Sequence, residues 1–242
     1  MASREDILVE LGLAPTWRLR ADHGRTAPTA IDTSAESIID SPEVAQSETR
    51  RARIAMLDWS ALHADIEACT ACGLCRTRKR AVPGVGDVRA DWLFVGEAPG
   101  AEEDAQGEPF VGQAGKLLDS MLAATGLARG QAVYIANVLK CRPPGNRNPE
   151  PLEVESCKPY LDRQIALIRP KLIVALGKSA ATTLLGTEAS IASLRGRIHR
   201  YGGVPLVVTY HPAYLLRNLP DKAKAWEDLL LARRTVRVSS DS

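Results

Sequence analysis

KLIVALG, residues 171–177, decides the fold. It is five apolar residues long and closed by a glycine, which is too short for a helix. It is apolar at every position, so neither of its faces is meant for water. Such a run fits a strand covered on both sides, as in a parallel sheet. Three other runs have the same form: WLFVGEA (92–98), AVYIANV (132–138) and PLVVTYH (205–211).

Between these runs lie stretches with helical spacing. GKLLDSMLAATGL places Leu117, Leu118, Met121 and Leu122 on one face and stops near Gly126. PLEVESCKPYLDRQIALI, KSAATTLLG and KAKAWEDLLLARR follow. Asp58 caps a helix carrying Trp59, Leu62 and Ile66. Strand–helix alternation predicts an α/β protein, a three-layer α/β/α sandwich around a central, mostly parallel four-stranded sheet. Ligands of such folds sit at the carboxyl ends of the strands. The segment GEAPGAEEDAQGEPF (96–110), Asn137, Gly177 and His211 all fall at those ends.

The ends of the chain read differently. Residues 1–57 are expected to be an extension, with a short helix capped by Ser3 and a flexible linker rich in Ser, Thr, Ala and acids through residue 50. Residues 58–235 form the expected domain, and 236–242 a disordered tail. A net charge of +2 in 242 residues excludes an overall basic field, so nucleic-acid binding would need a local patch. No apolar run reaches the roughly 18 residues of a membrane span. The acidic, polar start is unlike a signal peptide. The expectation is a cytoplasmic protein without membrane contact.

In that reducing setting the cysteines point to ligation or redox chemistry more than to disulfides. Cys69-x2-Cys72 forms a clip, and Cys141 and Cys157 make a second, wider pair. Four thiolates can hold zinc or an iron–sulfur cluster. The wide second spacing favours a 4Fe-4S cluster over a zinc ribbon. Cys75 is left as a free thiol beside the site, with a local swap with Cys72 as the alternative.

GEAPGAEED, PFVGQAGKLLD, NVLKCRPPGNR and HPAYLLR occur in this order with the four cysteines around them. The set resembles family 4 uracil-DNA glycosylases, the iron–sulfur class of that superfamily, from about Ala68 to Leu231. The resemblance implies a monofunctional enzyme that flips uracil from DNA and hydrolyses its glycosidic bond in base excision repair. It implies that Asn137 reads uracil, because a primary amide offers a donor beside an acceptor. Phe110 would stack on the flipped base. His211 would donate to O2, where charge develops.

Gly96, Ala98 and Gly100 would shape the pocket. Better-known relatives carry an Asp where this chain has Ala98, which leaves Glu97 and Glu103 for the catalytic carboxylates. Glu97 is favoured for water and Glu103 for the C5 edge of uracil. Glu102 and Asp104 read as a solvated turn or cap. Leu215 and Leu216 supply an apolar wedge. Arg142, Asn146, Arg147 and Arg217, with the helix start Gly177-Lys178-Ser179, offer phosphate contacts. A monomer is expected, with the extension as a docking segment for a repair or replication protein. The competing class is a non-catalytic iron–sulfur DNA-binding module tied to a polymerase or repair partner. CRPPGNRNPEP has no His, which disfavours a covalent uracil-DNA binder.

Overall fold

The computed structural model describes residues 42–240. The helix expected at Ser3 and the first part of the expected linker lie outside them. Six strands run in chain order: β1 (Val85–Gly86), β2 (Trp92–Gly96), β3 (Val133–Asn137), β4 (Leu172–Leu176), β5 (Ile198–Tyr201) and β6 (Val204–Thr209). The nine helices of the described residues are α1 (Pro42–Ala55), α2 (Trp59–Glu67), α3 (Ala101–Gln106), α4 (Gln113–Ala124), α5 (Pro151–Ile168), α6 (Lys178–Leu185), α7 (Ile191–Leu194), α8 (Pro212–Leu215) and α9 (Lys222–Ser240).

The sheet order is β1-β3-β2-β4-β6-β5. The four inner strands are parallel and are the four apolar runs of the sequence. The expected sheet is thus too small by two strands. β1 and β5 pair antiparallel at the edges. β1 is two residues long and β5, IHRY, has no buried residue, so neither carries the apolar signature.

Alternate side chains of the inner strands feed two cores, as the two-residue strand period requires. Leu93, Val95, Ala136, Ile173, Ala175 and Val208 face α1, α2, α5 and α6. Phe94, Val133, Ile135, Val174 and Val207 face α4 and α9. Each Val, Leu or Ile buried in this way contributes about 1.5–3 kcal/mol. The three-layer reading therefore stands.

Both expected domain limits move. α1 belongs to the domain: Ile54 is fully buried, Arg53 pairs with Asp65 of α2 at 2.5 Å, and Arg50 donates to the Ser156 carbonyl of α5 at 2.8 Å. The compact unit runs from Ser41, not from residue 58. At the other end α9 continues to Ser240, with Val236 buried, where a disordered tail was expected. No helix among the described residues is long and apolar enough to cross a membrane.

Candidate active site

Three side chains, two from strand ends and one from a loop, meet above the sheet. Asn137 closes β3, Phe110 lies in the loop between α3 and α4, and His211 follows β6. Asn137 is 2% exposed and its Oδ1 is a buried oxygen with no hydrogen-bond partner. A buried acceptor left empty costs about 1–3 kcal/mol. It therefore marks a place where a ligand N–H belongs.

The Phe110 and His211 rings stand 5.4 Å apart, inclined by 29°. A third ring between them would need about 7 Å, twice the roughly 3.5 Å carbon contact distance. The two rings therefore do not sandwich a flat ligand between them. Gly96 is the floor: an added Cβ would overlap both Asn137 Oδ1 and the Phe110 ring. Gly177, with φ +92°, lets the chain pass against His211, whose Cβ would lie 2.9 Å from a side chain there.

The His211 tautomer follows from its neighbours. Its Nδ1 accepts from the Ala213 N–H at 3.1 Å, so the ring proton is on Nε2. Burial pushes its pKa down to about 4, and the nearby Arg217 guanidinium works the same way. The imidazole is neutral at physiological pH and donates one proton through Nε2.

Glu97 follows β2 and shares a cleft of about 650 Å3 with His211, Gly177, Lys178 and Ser179. Burial raises its carboxyl above the ordinary range, opposed by a hydrogen bond with Ser179. Ala98, partly buried beside it, packs on the core and brings no polar group.

Glu103 has a different job from the catalytic one expected. Its carboxylate accepts from the N–H groups of Gly100 (3.1 Å), Val111 (3.0 Å) and Gly112 (3.3 Å). With those bonds made, it caps α3 and ties that helix to the loop carrying Phe110. Those bonds make it a positioning residue for the Phe110 loop. Gly100 is accordingly the cap of α3 and not a pocket wall. Asp104, expected at a solvated turn, is buried and accepts from the Lys79 N–H.

Arg129 was missed. Its guanidinium donates to the carbonyls of Pro109 (3.0 Å) and Phe110 (2.6 Å) and pairs with Asp119 at 2.5 Å. It sits in the loop before β3, with no motif spacing that points to Phe110. Phe110 has φ +56°, a left-handed backbone that costs a non-glycine residue on the order of 1–3 kcal/mol. Glu103 and Arg129 hold that conformation from opposite sides.

The model of the uracil DNA glycosylase superfamily matches residues 83–230. The type-4 uracil-DNA glycosylase of Archaeoglobus fulgidus is 51% identical over 160 residues, 63% of this chain and 80% of that protein. That of Pyrobaculum aerophilum is 44% identical over 183 residues, 72% and 93% of the two chains. That of Thermotoga maritima is 47% identical over 155 residues, 63% and 80%. The chain belongs to the type-4 uracil-DNA glycosylases.

Of the residues expected to meet DNA in this type-4 glycosylase, the structure leaves some outward and engages others. Lys178, Leu216 and Arg217 are exposed, and Ser179 faces Glu97. Arg142 is half-buried and donates to Asn146 Oδ1 at 2.7 Å. Arg147 is not free for phosphate, because it grips Glu153 through two bonds of 2.6 and 2.9 Å and Glu150 at 3.1 Å. Leu215 is 1% exposed, packed with Tyr210 and Ala225, and cannot be a wedge. Leu216, 42% exposed, can.

The five cysteines of the type-4 glycosylase are free thiols lining one small cavity, together with Arg78, Lys140, Ser156 and Tyr160. Among the described residues no group of three or more Cys, His, Asp or Glu side chains is set to hold a metal ion as the chain stands. The surroundings nevertheless suit an anionic sulfur cluster. Arg78 donates to Cys141 Sγ at 3.0 Å, Arg50 to Cys69 Sγ at 3.7 Å, and the Lys140 N–H to Cys157 Sγ at 3.2 Å.

Lys140 itself is 1% exposed, and its Nζ donates only to neutral oxygens, the Asn137 carbonyl (2.8 Å) and Gln164 Oε1 (2.7 Å). A buried ammonium needs an anion nearby. The thiols beside it supply one when ionised. Burial pushes the Cys157 thiol up to about 12 even with the Lys140 ammonium working against it, so thiolates persist here only opposite further positive charge.

Proposed function

We propose that this protein excises uracil from DNA by hydrolysis of the glycosidic bond, releasing free uracil and leaving an abasic site. The observation that carries the reading is the empty buried oxygen of Asn137 beside Phe110 and the neutral His211. Uracil presents N3–H as a donor next to O4, an acceptor. Asn137 Oδ1 takes the former and its amide N–H the latter. Cytosine has the reverse pattern and would leave both groups unpaired, at about 1–3 kcal/mol each.

The base leaves the stack and lies on Phe110, while Leu216 enters the space it vacates. As the glycosidic bond lengthens, negative charge gathers on the uracil ring, and His211 Nε2–H donates to O2. A neutral donor suits this task, since it gains strength as the anion forms. Glu97 orients water towards the sugar C1′ and takes its proton as the new C–O bond forms; the departed uracil anion draws a proton from solvent and Glu97 returns its own to solvent, which balances the step. No enzyme amine attacks, so the strand is not cut. Lys178 lines the cleft with Glu97, and Arg217 lies near enough to His211 to act on its charge; both are exposed and hold the flanking phosphates, with Arg142 after β3.

Cys69, Cys72, Cys141 and Cys157 would hold a 4Fe-4S cluster, with Cys75 beside it. When bound, it supplies a rigid tie between the end of α2, the segment after β3 and α5. The chain's own part is to offset the cluster's negative charge with Arg50, Arg78 and Lys140. A DNA substrate and cysteines kept for a cluster suit a cytoplasmic protein.

Release of free uracil from a labelled oligonucleotide tests the reading. Uracil with an intact abasic strand is the expected outcome. DNA binding without release would make the protein a binding module, and a borohydride-trapped adduct would replace water with an amine.

A further inference from the structure

The cations Arg76, Arg78, Lys79 and Arg80 crowd into five residues, RTRKR, just after the first cysteines. A chain with a net charge of only +2 has no need of such a run. Arg78 is taken up by Cys141 Sγ and the Glu67 carbonyl. Arg76, Lys79 and Arg80 are exposed and, among the described residues, form no ion pair, Arg80 reaching only the Gln106 carbonyl at 3.5 Å. Lys79 and Arg80 line an open cleft of about 690 Å3 whose acids, Glu67 and Glu108, stand in it without closing on either cation.

The run is fixed in place and tied to the segment that leads to Phe110. The Lys79 N–H donates to the buried Asp104 of α3, and the Arg80 stem lies 3.4 Å from where a Gly107 side chain would begin. Two residues later the Val82 N–H reaches the Lys140 carbonyl at 2.7 Å. Gly107 is three residues from Phe110. Lys140 follows β3, whereas Arg217 and Leu216 follow β6, and β2 and β4 lie between them. The two sets of exposed cations thus lie towards opposite edges of the sheet, with the strand ends of the pocket between them.

We propose that Arg76, Lys79 and Arg80 form a second seat for the DNA backbone, which holds the strand across the pocket from Arg217. This rests on DNA being the substrate. A nucleotide turned out of its stack pulls on the backbone at both neighbours, and one-sided contacts would let the strand swing. Unpaired cations on a fixed loop answer that need, because each phosphate neutralised releases counterions and adds affinity at low salt.

The test measures affinity for uncut DNA against salt, with visible absorption and circular dichroism as checks on folding. The Lys79→Ala/Arg80→Ala variant should lose about two units of the slope of log affinity against log salt, and Arg76→Ala about one more. Affinity at low salt should fall tenfold or more, with kcat at saturating DNA unchanged. Arg233→Ala/Arg234→Ala, on α9, should leave the slope as it is. The milder Arg80→Gln should lose about one unit should the double variant misfold. An unchanged slope, or an equal loss in the α9 pair, would overturn the proposal. Because the readout is binding, a failure of uracil release would sink the enzymatic reading and not this one.

Discussion

The Arg129 guanidinium donates to the Phe110 carbonyl at 2.6 Å, and through it a surface loop controls the stacking face of the pocket. Phe110 is held at φ +56° by that bond and by the Glu103 carboxylate on the next two N–H groups. Both act on the backbone around Phe110. Arg129→Met should therefore lower kcat/KM for uracil release about 10- to 100-fold, the scale of a misplacement near 1 Å. Affinity for uracil-free DNA should not change. Glu103→Gln, which keeps the shape and accepts fewer N–H groups, should cost less than Glu103→Ala. A rate constant for Arg129→Met equal to wild type would show that the loop holds itself.

The two titratable groups of the pocket are separated in pH. His211, near 4, stays neutral from pH 8 down to about 5 and contributes no fall in rate there. Glu97 must be ionised to take a proton, and burial raises its carboxyl. Single-turnover rates should thus drop as pH falls through a value above 4.5, the ordinary one for Glu. Glu97→Gln should lose about 100- to 10,000-fold at pH 7.5, typical of a positioned base, and lose that limb with it. Persistence of the limb in Glu97→Gln would assign it to another group. Stability follows the histidine differently: unfolded imidazole binds a proton near 6.5 and the folded one near 4, so acidification across that window favours unfolding.

The four inner strands were legible because burial on both faces leaves no polar position to disguise them. The edges were not. β5 alternates exposed and half-buried residues, and its one signal was the Gly202-Gly203 pair that turns it back into β6. α1 hid in a composition of Ser, Thr and acids because tertiary contacts, such as Ile54 in the core and Arg50 on Tyr160, hold it in place. Glu103 was misread for a reason visible in the sequence. It stands three residues after Gly100, the place of a capping glutamate, and that pattern competes with any catalytic reading of an acid. Arg129 could not be found, since its partners are carbonyls of a loop 19 residues away.

Asn137 and Lys140 are joined, because the Lys140 ammonium donates to the Asn137 carbonyl while its backbone N–H serves Cys157. Loss of the cysteine ligands should then be felt in the pocket. Cys157→Ser should lower visible absorption near 400 nm and the thermal midpoint together. Lys140→Met, which removes the cation and keeps the bulk, should make iron easier to remove by chelator and raise KM for uracil-DNA. Asn137→Ala should cost about 10- to 100-fold in kcat/KM, one or two lost hydrogen bonds, while the visible spectrum stays unchanged. Stoichiometric zinc without iron in the purified protein would contradict the cluster assignment.

Leu215 and Leu216 are neighbours in sequence with opposite surroundings, so they separate fold from function. Leu215 is buried against Tyr210 and Ala225, and Leu215→Ala should destabilise the protein by about 2–5 kcal/mol, read as a lower thermal midpoint. Leu216 is exposed, and Leu216→Ala should change stability by less than about 0.5 kcal/mol. If it fills the space left by the base, the same change should slow excision from duplex DNA about tenfold and hardly alter excision from single strands, where no stack has to be held open. Equal losses on both substrates would mean that Leu216 contacts the flipped nucleotide and not the gap behind it.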